Sequence, residues 1–68
     1  MNLSPRYLIK ILELNGFIFQ RSKGSHRLYY NPLTGKTIVI PVHGGKDLKK
    51  GTYFEILKQS GIDKSDLS

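Results

Sequence analysis

The chain has 68 residues, with eleven Lys and Arg against five Asp and Glu, for a formal charge of +6 and a pI near 9.9. That length makes one domain, taken as residues 1–68, and a domain this small buries only about 60% of its unfolded surface. There is no cysteine, so disulfides and thiolate metal sites are excluded, and a partner protein is the expected source of extra stability.

Taken in chain order, Ser4-Pro5 opens a helix. Ser4 can accept free backbone N–H groups, and Pro5 suits the first helical position. Leu8, Ile11 and Leu12 follow at three–four spacing as an apolar stripe, which Tyr7, Ile9 and Leu14 are expected to widen. Gly16 ends the helix as a left-handed residue. Aromatic and β-branched residues from Phe17 to Arg21 read as a strand, and Ser22–Gly24 as a turn. Ser25–Asn31 is a second strand, Leu33–Gly35 the next turn, and Lys36–Val42 a third strand. Pro41 has no N–H for a ladder and belongs at a strand end or outer edge. A glycine- and lysine-rich loop runs over residues 43–51. Thr52 and Glu55 have capping-box spacing at the start of a second helix, with Tyr53, Ile56 and Leu57 as its stripe, Phe54 beside it and Gly61 as its stop. The tail after Gly61 is polar apart from Ile62 and Leu67.

Short connections make the strands an antiparallel meander. Two helices must bury their stripes, so the expected fold is α+β, α-β-β-β-α, with a three-stranded antiparallel sheet and both helices on one face. That order is also the layout of double-stranded-RNA-binding domains. The other sheet face is left open.

The charge excess points to a polyanion, RNA above all, although a basic surface can also serve solubility alone. No apolar run is long enough for a membrane span, and the N-terminus lacks a signal-peptide core, so no membrane and a cytoplasmic setting are expected.

The stretch Lys23–Pro32, KGSHRLYYNP, carries the chemistry. Strand alternation puts His26, Leu28 and Tyr30 on one face and Arg27 and Tyr29 on the other. With Tyr29 inward, His26 emerges on the open face or its rim. Gly24 and Ser25 leave the approach unobstructed, and Arg21, Lys23 and Arg27 are close enough in sequence to bind phosphate oxygens. A free imidazole titrates near pH 6.5, so it can give or take a proton near neutrality. RNA carries its own nucleophile, and a histidine that deprotonates a 2′-hydroxyl drives attack on the adjacent phosphorus. Two readings of His26 stand: a proton-transfer group, or a surface residue that only contacts phosphate.

His43 is either an auxiliary acid or a hydrogen-bonded structural group at the strand-to-loop bend. The residues HGGK do not form a phosphate loop, because Ile40 stands where the first glycine is needed and Asp47 where Ser or Thr is needed. Lys46, Lys49 and Lys50 remain as a cationic rim or as a solvated loop. Phe19, Tyr29 and Tyr30 can stack on bases, with core packing the default for most of them. Two histidines, no cysteine and scattered carboxylates offer no metal cage, and no cofactor is expected.

The segments GFIFQRSKGSHRLYYNP and GKTIVIPVHGGKDLKKGTYFEILKQSGI resemble the HicA toxins of bacterial toxin–antitoxin pairs. The resemblance runs from about Ser4 to Ile62, with Gly-Ser-His, Val-Ile-Pro-Val-His and Lys-Gly-Thr in the right order and spacing. It implies a double-stranded-RNA-binding-like fold and an mRNA interferase, an endoribonuclease that arrests translation. It implies that His26, in Gly-Ser-His, is catalytic, and that a HicB-type antitoxin binds the toxin and masks it. Arg21, Lys23, Gly24, Ser25 and Lys46 are the expected substrate contacts. The alternative is a non-catalytic RNA-binding module on the same fold.

Overall fold

The computed structural model describes residues 2–62. It has the expected order: α1 (Pro5–Leu14), β1 (Ile18–Lys23), β2 (His26–Asn31), β3 (Lys36–Pro41) and α2 (Lys50–Ser60). The strands pair antiparallel in the order β1-β2-β3. The molecule measures 30 × 29 × 16 Å, so its thin dimension holds one sheet and one helix layer.

Both helices supply the layer over one sheet face. Leu8, Ile11 and Leu12 of α1 and Tyr53, Ile56 and Leu57 of α2 share a buried cluster with Tyr29, Ile38 and Ile40 of the sheet. Tyr29 is opposite Ile38, and opposed residues share a face, so this row is the inward one. Tyr29 is 3% exposed, as its inward placement requires. Phe17, which the sequence places in the first strand, lies just before β1 and is buried in the same cluster.

The start of α1 follows the sequence: the Ser4 hydroxyl accepts from the Tyr7 amide at 3.2 Å, with Pro5 at the first helical position. Its stripe is narrower than expected, because Leu14 is 79% exposed. Gly16, at φ 93°, turns the chain directly after α1 into the sheet, so nothing packs over Leu14.

The second helix starts earlier than the sequence suggests. Its N-cap is Lys49, which makes no side-chain cap bond, and Thr52 lies inside the helix, so the Thr52–Glu55 capping box is not formed. Tertiary contacts override the local signal here. The Leu48 amide donates to the Leu3 carbonyl at 2.8 Å, and the Leu48 side chain is buried. That anchor delivers the chain to α2 two residues later, with Leu48 and Tyr53 at the positions of a hydrophobic staple. Gly61 stops α2 as expected, and does so in the left-handed conformation, at φ 79°. Ile62 joins the core, and Leu67 lies outside the described residues.

One buried polar residue ties the layers together. Asn31 donates from Nδ2 to the Asn15 carbonyl at 3.1 Å, and its Oδ1 accepts from the Leu33 amide at 2.9 Å. It thus joins the end of α1 to the β2–β3 turn, leaving neither of its polar atoms unpaired.

Candidate nucleic-acid interface around His26

Lys23 and His26 are opposed in the ladder, so Gly24 and Ser25 form a two-residue hairpin loop, one residue later than the turn read from sequence. Gly24 has φ 59°, the sign that the first position of a type II′ turn demands. A Cβ there would meet nothing within 4 Å, so the glycine is needed for its backbone and the way to His26 is open. The Ser25 carbonyl accepts from the Val42 amide at 2.7 Å, which fixes the head of β2 against the end of β3.

The register of the first hairpin decides which cations join His26. Phe19 is opposite Tyr29, but the next pair is Arg21 with Leu28, so Gln20 is an extra, bulged residue. After the bulge Arg21 and Lys23 lie opposite Leu28 and His26, and share their face. A regular ladder continued from Phe19 would instead put Arg21 opposite Arg27, on the helix side. His26 also lies opposite Pro41 of β3. The open face therefore carries Arg21, Lys23 and His26 at one end, with Leu28, Tyr30, Ile18 and Val39 beyond them. Of the three candidate stacking aromatics only Tyr29 is core; Tyr30 and Phe19 are exposed, Phe19 lying edge-on to Tyr29 at 5.6 Å.

His26 is exposed, and among the described residues its ring has no hydrogen-bond or ion-pair partner. It is thus reachable by a bound molecule. Arg27, its neighbour in sequence, points the other way: it pairs with Ile40 and Ser22 on the helix-side row. It lines a cleft of about 550 Å³ together with Ser4, Arg6, Val42 and the Gly44-Gly45 loop.

Pro41 connects His26 to the glycine loop. It lines a second concavity of about 490 Å³ with His43, Lys46, Lys49, Asp47 and Thr52. Lys46 is thus brought to the rim of a hollow one strand away from His26, although it lies twenty residues on in the chain. His43 holds its turn through the backbone, its carbonyl accepting from the Lys46 amide at 3.1 Å. Its ring is exposed and unbonded among the described residues, so the expected hydrogen-bonded structural role of the ring is not seen. Sequence reasoning missed Pro41, which carries no chemical signal and matters only through its pairing, and Gln20, whose bulge has no local signature.

Among the described residues no group of three or more His, Cys, Asp or Glu side chains gathers as a metal site. No helix among them is long and apolar enough to cross a membrane.

The model of the family described as the HicA toxin of bacterial toxin–antitoxin matches residues 5–62. The chain belongs to the HicA toxin family. It is also 41% identical over 51 residues to a protein of Pseudomonas fluorescens (strain Pf0-1) named "Probable mRNA interferase HicA", covering 75% of this chain and 82% of that one. The α-β-β-β-α fold, His26 and the cations on its face all lie within the HicA match.

Proposed function

We propose that this HicA-family chain is the toxin of a type II toxin–antitoxin system, an endoribonuclease that cuts mRNA and so stops translation. The observation that carries the proposal is an exposed histidine sharing one sheet face with Arg21 and Lys23, in a chain of the HicA family. The relative's name supplies the substrate class.

The reaction draws on side chains of that face and of the loop after β3. His26 takes the proton of an RNA 2′-hydroxyl. The freed oxygen attacks the adjacent phosphorus, the bond to the 5′-oxygen breaks, and that oxygen leaves with a proton. The products are a 2′,3′-cyclic phosphate and a 5′-hydroxyl. Arg21 and Lys23 offset the charge that builds on the phosphoryl oxygens. Gly24 and Ser25 leave the approach open, Lys46 holds the strand further along, and His43, exposed beside Lys46, serves as the auxiliary acid that returns a proton to the leaving group. No metal or cofactor enters the scheme. An mRNA substrate places the work in the bacterial cytoplasm. A HicB-type antitoxin silences the toxin by covering the His26 face, where exposed Ile18, Tyr30 and Val39 offer apolar contact beside the cations.

General base catalysis contributes about 10²–10⁴-fold, so His26→Ala should lower RNA cleavage at least about a hundredfold while RNA binding persists. An oligonucleotide with a single 2′-deoxy sugar at the cut position should resist the wild-type protein. Cleavage by the Ala variant at the wild-type rate would end the proposal.

One observation favours a second reading, a non-catalytic RNA-binding module: no described side chain orients the His26 ring. That reading predicts that growth arrest in cells lacking the antitoxin survives His26→Ala.

A further inference from the structure

The cleft on the far side of the hairpin from His26 takes no part in the cleavage scheme. It lies between the start of α1 and the loop after β3, and its volume of about 550 Å³ is in the range of ligand sites. Arg6 and Arg27 enter it from different elements, Ile9 and Val42 provide apolar surface, and Gly44-Gly45 form a wall without side chains. Among the described residues no Asp or Glu lines it, in contrast to the concavity at Pro41, which includes Asp47. Among the described residues neither arginine has an ion pair or a side-chain hydrogen bond. Two guanidinium groups facing one hollow repel each other, and no described acidic residue lines the hollow to offset them. A phosphate offsets them, its oxygens accepting from the forked N–H donors of both guanidinium groups.

We propose that this cleft is a second RNA subsite, in which Arg6 and Arg27 bind a backbone phosphate next to the segment held at His26, and the nucleotide's apolar surface lies against Ile9 and Val42. The inference rests on the ribonuclease reading and extends it from one sheet face to two. His26 and Arg27 are consecutive residues on opposite faces, and Gly24 and Ser25 leave the hairpin end free of bulk. A single strand can therefore pass from one face to the other around that end. The helix terminus itself is not the attraction, because the Ser4 hydroxyl is already engaged by the Tyr7 amide.

The test uses the full chain carrying His26→Ala, so that RNA stays intact, with and without Arg6→Gln plus Arg27→Gln. Gln keeps most of each side chain's stem and removes its charge. Binding of a fluorescent single-stranded RNA is measured by anisotropy from 50 to 300 mM salt. The log–log slope should fall in magnitude by about 0.7, for the one phosphate released, and the Arg6→Lys plus Arg27→Lys pair should restore it. Unfolding midpoints establish that each variant is folded; if the Gln pair is not, Arg6→Gln alone carries the test, with a fall in the same direction of up to about 0.7. An unchanged slope in a folded variant, with the parent binding RNA, overturns the cleft and leaves the ribonuclease reading standing. Failure of the parent to bind RNA at low salt overturns both. Loss of binding to polyglutamate but not to RNA overturns the cleft as an RNA site.

Discussion

The placement of Arg21 beside His26 depends on one bulged residue, and two matched deletions test it. Removing Gln20 leaves a regular ladder in which Phe19, Arg21, Ser22 and Lys23 keep their present partners. Removing Ser22 also regularises the strand and keeps Lys23 opposite His26, but Gln20 then takes the place opposite Leu28. Arg21 moves opposite Arg27, on the helix side. The two variants have the same length, the same hairpin loop and the same net charge. They differ in which face carries one arginine, because side chains alternate with a period of two. In the His26→Ala background, RNA binding by the Gln20 deletion should keep the parent salt slope. The Ser22 deletion should lose about 0.7 from it, equivalent to an affinity ratio between 50 and 200 mM salt altered by about 2.6-fold. The Ser22 deletion should also be the less stable of the two, since like charges opposed across a ladder are unfavourable. Anisotropy titrations and thermal melts read both effects. Equal slopes for the two deletions would refute the claim that the bulge puts Arg21 on the substrate face.

Asn31→Ala removes both ends of a buried link and leaves the Asn15 carbonyl and the Leu33 amide short of a partner, which should cost about 2–3 kcal/mol. In a domain this small that is a fall of roughly 10–20 °C in melting temperature, readable by circular dichroism. The Tyr53 hydroxyl group has its pKa raised, first by burial and then by the nearby Tyr7. The fold therefore favours the neutral phenol: this contribution is complete below the unfolded value near 10 and is lost as pH rises through the higher folded value. Urea midpoints should decline above pH 10 more steeply in the wild type than in Tyr53→Phe, and parallel curves would count against the burial effect. Gly24→Ala should cost about 1–2 kcal/mol through its positive φ, whereas Gly45→Ala, with no such φ and open space around it, should be close to neutral in the same melts.

The parts of the fold that were legible are those set by neighbours in the chain. Ser4-Pro5 starts α1, Gly16 and Gly61 stop the helices, and the β-branched run before Pro41 makes an edge strand, because each signal is a steric or hydrogen-bonding preference of a few adjacent residues. The pattern of β2 alone does not decide between Tyr29 and Tyr30 as the inward aromatic, since each face carries one; the burial of Tyr29 leaves His26 on the open side of the same strand. Thr52 shows where such signals fail. Its capping box is a sound local pattern, but a buried Leu48 tied to Leu3 starts the helix before it. Leu14 fails similarly, as an apolar residue on a stripe with no element opposite it.

By itself the sequence determined the order of elements, the excess of positive charge and a tight turn near Gly24 just ahead of His26. Only the tertiary structure decided the company that imidazole keeps: Arg21 and Lys23 on its side through the Gln20 bulge, Arg27 behind it with Arg6, and Lys46 at a hollow reached through Pro41. The physical reason is that local preferences act over a few bonds, whereas the face of a strand residue is set by ladder register, and one extra residue reverses every side chain beyond it.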